Sequence, residues 1–495
     1  MTELFRHQEI AVERLTSRSH FGLFMEMGTG KTLSVIEAAR RLHQAGIIDH
    51  VIVICPASVR AVWFDPMLGE LAKHLKYPIE VIELHRKPRR WATASGPRLR
   101  WTISNYDYLR GHLDEFRAIA NGKTLLVCDE SSALKSWKTK QTKAATALRQ
   151  RCGRAVILNG TPISNNPGDL FSQMRILDPG ILGIQSEFQF KLRYGVMGGF
   201  EGRQVVAWRN LDDLQARIAP HVMRVEKKDC LDLPDKLPPV TLEVPLSPKT
   251  WAHYREMRQE MIVWLGEQRM SAAPQAAVRA MRLSQLTSGF LGGIVERALC
   301  GCGPIGDCMR CGGTGEYLQE RGAERVSTEK LDLLAGWLED RLAEDPAFKV
   351  LVWSRFRAEV DAIAGILPKP FSCGRIWGAQ QREEREHALR LLDPRTCPPG
   401  AVAVIGTPAS GSMGLNLAAA NTVVYVSNDY SFKTRIQSED RVHRPGQVKH
   451  VSYFDVVATG PDGQRTIDHA VIQALRAKES LANFTISAWR AALDE

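Results

Sequence analysis

The chain has 495 residues, 44% hydrophobic and 24% charged, with a formal net charge of +10. Such a length suggests about three domains, and the composition is that of a globular chain with ample core, which excludes fibrous and disordered classes. The basic excess fits a polyanionic partner, while no apolar run approaches the roughly 20 residues of a membrane span, and Met1–Gln8 lacks the apolar core of a signal peptide.

In chain order, the first residue of interest is Gln8, whose amide could pair with the edge of adenine but could equally sit on a helix surface. The apolar run Phe21–Phe24 then leads into Met25-Glu26-Met27-Gly28-Thr29-Gly30-Lys31-Thr32, and a helical pattern follows over Leu33–Leu42. A strand, a glycine loop and Lys-Thr opening a helix is the layout of a phosphate-binding loop. Gly28 and Gly30 let the backbone N–H groups turn toward phosphate oxygens, and the helix N-terminus adds partial positive charge. Lys31 would reach the β- and γ-phosphates and Thr32 would hold Mg²⁺. Glu26 stands where the usual pattern begins with glycine.

Continuous β-branched runs at Val51–Cys55, Trp101–Tyr106, Thr124–Cys128 and Ala155–Asn159 predict strands buried on both faces of a parallel sheet. Helical patterns between them predict right-handed βαβ units in a doubly wound sheet, whose ligands bind at the strands' carboxyl ends. Asp129-Glu130 sits at such an end. Asp129 is placed to hold Mg²⁺, and Glu130 to orient or deprotonate the attacking water. A basic, Trp-bearing stretch from His85 to Trp101 reads either as a phosphate-contacting segment or as a solvated loop with its tryptophans in the core.

The proline-rich run Leu233–Pro239 predicts a boundary or linker. Long helices are expected from Pro248 to about Phe290, with Trp251, Tyr254, Met257, Met261 and Trp264 as core. Of the ten cysteines, Cys300, Cys302, Cys308 and Cys311 fall within twelve residues, which is the pattern of one local metal site rather than of a disulfide scaffold. These four thiolates could close a structural tetrahedral Zn²⁺ site, with no open position for chemistry. Cys308–Gly315 also resembles the C-x-x-C-x-G-x-G repeat of the DnaJ chaperone zinc domain. A second α/β pattern begins at Ser327, with strands at Lys349–Trp353, Val402–Ile405 and Thr422–Val426. Near its end, Arg441 and Arg444 are three apart and expected on one helix face.

The order of phosphate loop, Asp-Glu, Gly160-Thr161-Pro162, Gly414-Leu415-Asn416-Leu417 and Gln437-x-x-Asp440-Arg441-x-His443-Arg444-x-Gly446-Gln447 resembles the superfamily 2 helicases, within them the Swi/Snf-type DNA translocases. Cys55-Pro56 with Trp63, Ser104-Asn105-Tyr106, Asn159–Asn166 and Leu283–Phe290 carry the same resemblance, which spans residues 4–175 and 224–480. The chain departs from the pattern at Ser131-Ser132 in place of Ala-His, at Thr29 in place of Leu, and in the Cys cluster.

The resemblance implies two RecA-like doubly wound parallel-sheet lobes, over 1–235 and 326–495. A helical, zinc-binding insertion is expected between them, over 240–325. ATP would be hydrolysed in the cleft between the lobes and coupled to stepping along duplex DNA. Gln8, Gly28, Thr29, Gly30, Lys31, Thr32 and Gln437 would bind nucleotide, and Arg441 and Arg444 would be arginine fingers. Thr161, Ser410 and Asn416 would couple DNA to ATP. A monomer is expected, cytoplasmic and nucleoid-associated in a bacterial or phage setting, with a protein partner at the zinc insertion. The alternatives are a strand-separating DNA or RNA helicase and an ATP-switched clamp that recognises its partner through the cysteines.

Overall fold

The computed structural model describes residues 3–67, 69–93, 98–160, 167–198, 204–267, 273–292, 294–299, 316–378, 380–412 and 416–491. Ten strands belong to the N-terminal lobe. They are β1 (His20–Met25), β2 (His50–Cys55), β3 (Ile79–Glu83), β4 (Arg89–Ala92), β5 (Leu99–Asn105), β6 (Thr124–Cys128), β7 (Arg154–Leu158), β8 (Gly195–Gly198), β9 (Gln204–Trp208) and β10 (Val222–Val225). Among the described residues, strands β8 and β9 pair only with each other. The rest form an eight-stranded sheet ordered β10-β1-β7-β6-β2-β5-β3-β4, in which every pair but β3–β4 is parallel.

The β-branched runs are buried on both faces, as a parallel sheet requires. Along β2, Val51, Val53 and Cys55 enter one apolar cluster, whereas Ile52 and Ile54 enter the cluster on the opposite face. Helix Arg6–Ser17 and helix Lys31–Gln44 cover the first face, packing Ala11, Val12, Val35 and Ile36 against it. The basic segment resolves into the edge strand β4. Trp101 is fully buried, and Trp91 donates its Nε1–H to the Phe64 carbonyl at 2.6 Å. Both indoles therefore anchor the core and are not free to stack on a base.

The C-terminal lobe begins earlier than expected. Strand β11 (Val240–Pro245) pairs parallel with β20 (Ser452–Thr459), closing a six-stranded all-parallel sheet. Between them in the chain lie β12 (Phe290–Leu291), β13 (Ile294–Leu299), β14 (Glu316–Arg321), β15 (Glu324–Arg325), β16 (Lys349–Trp353), β17 (Ser372–Ile376), β18 (Val402–Gly406) and β19 (Thr422–Tyr425). The sheet order is β11-β20-β19-β16-β18-β17.

The expected separate insertion over 240–325 is corrected accordingly. Val244, Leu246, Trp251, Tyr254, Leu283 and Leu286 share one core with Leu334, Val350, Val352 and Val424. Helices Pro248–Glu267 and Ala273–Thr287 are thus part of this lobe. The sequence hid this because β11 is a half-exposed edge strand whose alternate positions are polar, so it lacks an apolar run. Two small antiparallel pairs, β12–β15 and β13–β14, stand apart from both large sheets. No helix of the described residues is long and apolar enough to cross a membrane.

Candidate active site

The turn after β1 carries Gly28 and Gly30 at φ values of +85° and +86°, where a side chain would strain the backbone. Gly30 also has no room for one: a Cβ there would lie 2.0 Å from Gln8 Nε2. The Gln8 amide lies over this loop. It donates to the Thr29 carbonyl at 3.3 Å and accepts the Phe5 N–H at 3.1 Å. Thr29 folds inward, its hydroxyl donating to the Glu26 carbonyl at 2.8 Å. Thr32 lies half-buried in the first turn of the helix that Lys31 opens. The Lys31 ammonium donates to the carbonyls of Met25 and Glu26 at 2.6 and 2.9 Å. Burial pushes its pKa down, against the opposing pull of Glu130, Asp129, Asp440 and Glu26.

Asp129 and Glu130 follow β6 at its carboxyl end. The Asp129 carboxylate accepts the Trp63 Nε1–H at 2.9 Å and the Glu130 N–H at 2.8 Å, and the Tyr106 hydroxyl donates to its carbonyl at 2.7 Å. Burial, with the Glu130 charge beside it, pushes the Asp129 carboxyl up to about 6. Glu130 occupies the left-handed region at φ +52°, a conformation that costs a non-glycine residue energy. Burial would raise its carboxyl too, but Lys433, Lys31 and Arg441 outweigh that and hold it below its usual range.

Lys433 comes from the other lobe. It and Gln437 lie one turn apart on the helix Phe432–Glu439. The Lys433 ammonium is 2.9 Å from Glu130 Oε2 and donates to the Ser132 hydroxyl at 2.5 Å. The Gln437 amide donates to the same carboxylate oxygen at 3.3 Å, so it meets the base candidate. Ser131 faces inward and donates to Gln173 Oε1 at 2.7 Å.

The arginine pair does not ride on a helix face, as its spacing suggested. The helix stops at Glu439, and Arg441 and Arg444 lie in the turns beyond it. The Arg441 carbonyl accepts the Leu417 N–H at 3.0 Å, and Gln447 Nε2 ties this segment to the Ala418 and Ala420 carbonyls at 3.2 and 2.8 Å. Arg441 is only 2% exposed, yet its Nε and Nη2 have no hydrogen-bond partner among the described residues. Burial and the neighbouring Arg444 lower its pKa to about 10. Arg444 is half-buried, with its pKa also lowered by burial.

The segment after β10 joins the two halves of the site. The Lys227 N–H donates to Glu26 Oε2 at 2.7 Å. Its buried ammonium donates to Asp440 Oδ1 at 2.6 Å and to the His443 carbonyl at 2.7 Å. Lys236 stands 3.4 Å from Asp440 and 3.3 Å from Glu439. Burial alone would raise the Asp440 carboxyl, and the two ammonium groups outweigh it and lower it.

Of the expected coupling residues, Ser410 is buried and its hydroxyl donates within its own turn to the Thr407 carbonyl at 2.7 Å, so it does not present a surface contact. Asn416 is half-buried and accepts the Ala418 N–H at 3.4 Å. Thr161, Cys300, Cys302, Cys308 and Cys311 lie outside the described residues. Among the described residues no cluster of three or more His, Cys, Asp or Glu side chains could hold a metal ion. Sequence reading missed Lys433 and Lys227. A lysine four residues before Gln437 could have signalled a shared helix face, but nothing local says what that face meets.

A family model described as the SNF2-related domain matches residues 7–288, and one described as the helicase conserved C-terminal domain matches residues 329–446. TATA-binding protein-associated factor 172 of Homo sapiens is 26% identical over 98% of this chain and 28% of its own length. DNA repair and recombination protein RAD54 of Oryza sativa subsp. japonica is 25% identical over 92% of this chain and 48% of its own. The chain thus spans half or less of the length of these relatives. A solved structure, the Sulfolobus solfataricus SWI2/SNF2 ATPase core in complex with dsDNA, is 21% identical with a TM-score of 0.42. The match covers 99% of this chain and 94% of that one.

Proposed function

The chain belongs to the SNF2-related family, and from that premise we propose that it is an ATP-dependent double-stranded-DNA translocase or remodeller. It hydrolyses ATP between its lobes and uses the cycle to move along the duplex. The observation that carries this reading is Arg441, a guanidinium buried against the acidic site with two nitrogens unpartnered among the described residues. Such a group is costly to bury unless an anion completes it, and a transferring phosphoryl is that anion.

The surrounding residues fit the same ligand. ATP supplies the phosphoryl group that passes to water. Lys31 and the N–H groups of the Gly28–Thr32 loop would hold its phosphates. Thr32 and Asp129 would hold Mg²⁺, which suits a carboxylate whose ionisation burial disfavours. Glu130, held as the anion, takes the proton of the attacking water. Gln8 lies on the loop where it could meet the base of the nucleotide. The fingers and the base belong to different lobes, so the reaction requires closure.

Cys300, Cys302, Cys308 and Cys311 bind one structural Zn²⁺ in this reading. The β13–β14 ladder supports it by pairing Leu299 with Glu316, which brings the two ends of the cysteine segment side by side. This element is a surface for a protein partner, and the motor itself works as a monomer.

The test is the steady-state ATPase rate with no nucleic acid, single-stranded DNA, duplex DNA or duplex RNA, with Lys31→Ala as control. Stimulation by duplex DNA that rises with its length and vanishes in the control supports a translocase. Equal or greater stimulation by single strands or RNA points instead to a strand-separating helicase. No stimulation by any of them overturns the motor.

A further inference from the structure

The acidic pair is not held by its own lobe alone. Ser131 and Ser132 divide the work: the first donates inward to Gln173, and the second accepts from Lys433 of the other lobe. Lys433 has no carboxylate of its own lobe as partner among the described residues; its ion pair is with Glu130. The element that delivers it is rigid. Ser431 caps the helix by accepting the Thr434 N–H at 3.2 Å. Arg435 locks the opposite side, 2.5 Å from Asp455 and 2.7 Å from Glu439, with its guanidinium 3.6 Å from the centre of the Tyr425 ring. Ser438 meets the Tyr425 hydroxyl at 2.7 Å.

Glu130, by contrast, is precarious on its own. Its backbone is left-handed, and its neighbour Asp129 is a buried acid. Without Lys433, the Gln437 amide at 3.3 Å is its remaining cross-lobe hydrogen bond among the described residues, beside the longer-range pull of the Arg441 charge. We infer that Lys433 is the positioning residue through which the C-terminal lobe sets the Glu130 carboxylate, gripping Glu130 and Ser132 together so that the base is aimed only while the lobes are closed. This rests on the reading of Glu130 as the base for ATP hydrolysis. It gives lobe closure a direct route to the hydrolytic carboxylate, separate from the arrival of Arg441. It also gives Ser132, which stands where the resembling family has histidine, a cross-lobe partner of its own.

The experiment is duplex-DNA-stimulated ATP hydrolysis by the full chain, comparing Lys433→Met, Lys433→Arg, Ser132→Ala and Glu130→Gln, with nucleotide affinity measured by a fluorescent ATP analogue. Among the described residues, Lys433 contacts Glu130 and Ser132 and has no hydrogen bond or ion pair with the phosphate loop. Lys433→Met should therefore lower kcat about 10- to 100-fold, the scale of a misplaced catalytic group, with KM and analogue affinity unchanged. Lys433→Arg should restore most of the rate, since it keeps the charge. Ser132→Ala, which keeps the ion pair, should lose less than Lys433→Met. Unchanged kcat in Lys433→Met beside a crippled Glu130→Gln overturns the inference alone. An unimpaired Glu130→Gln overturns the assignment of the base, and this inference with it. Faster hydrolysis without DNA in Lys433→Met would make the pair a restraint on the base, and it too overturns the proposal.

Discussion

Arg441 sets the terms at the scale of single residues, because stability and function pull on it in opposite directions. It is buried, its pKa is lowered to about 10 by burial and by Arg444, and its Nε and Nη2 lack partners among the described residues. An unpaired buried donor costs about 1–3 kcal/mol, and more when it is charged. Arg441→Met should therefore raise the thermal midpoint of the nucleotide-free protein, while hydrolysis falls by about 10³–10⁵, the scale expected if it acts as an arginine finger. Calorimetry and ATPase assays on the same preparation check both halves. A lower midpoint would mean that the guanidinium is satisfied in the folded chain. Arg441 was legible in the sequence as a candidate, because the motif from Gln437 to Gln447 that carries the family resemblance is a local pattern. Its burial was not, because burial depends on what the rest of the lobe puts around it. Lys433 was illegible for a related reason: its partners lie about three hundred residues away.

Elements join the two halves of the site through the segment after β10, which the sequence marks only as a proline-rich boundary. Lys227 is its pivot, with its N–H on Glu26 of the phosphate loop and its ammonium on Asp440 and the His443 carbonyl. Breaking a buried ion pair by removing one partner costs about 3–5 kcal/mol, because it strands the other charge. Lys227→Met should thus lower the unfolding midpoint sharply, with Lys236 at 3.4 Å left as a weaker partner for Asp440. Adding Asp440→Leu should recover part of the loss, since the stranded charge is gone; a double variant no better than the single one would show that Lys227 acts through the His443 carbonyl alone. The same contrast explains which elements could be read in advance. Strands β2, β5, β6, β7, β16, β18 and β19 are buried runs and announced themselves. Strands β4 and β11 are edges with exposed polar positions, and β3 alternates between buried and half-buried residues. The arginine turns look helical by spacing, but the helix ends at Glu439 and Leu417 pairs with the Arg441 carbonyl.

Across the described residues, two large sheets carry the candidate motor, and three two-stranded ladders, β8–β9, β12–β15 and β13–β14, belong to neither. Strands β13 and β14 pair from Ile294 with Arg321 to Leu299 with Glu316, and with no other strand among the described residues. A metal closing the cysteine segment between them would stabilise that ladder, because a zinc site contributes folding energy where its ligands converge. Neither β13 nor β14 supplies a strand to either large sheet among the described residues. The purified chain should therefore carry one zinc by elemental analysis, and Cys308→Ser should lose it. Hydrolysis without DNA should stay within about twofold, because neither strand of the ladder belongs to a sheet that carries the ATP-site residues. If the zinc-free variant also lost DNA-free hydrolysis, the ladder would have to brace the lobes and the separation drawn from the pairing pattern would be wrong. If DNA-free hydrolysis survived and only a partner-dependent activity were lost, the ladder would be an appended recognition element. The motor would then be complete in the two sheets, joined by Lys227 and gated by Lys433.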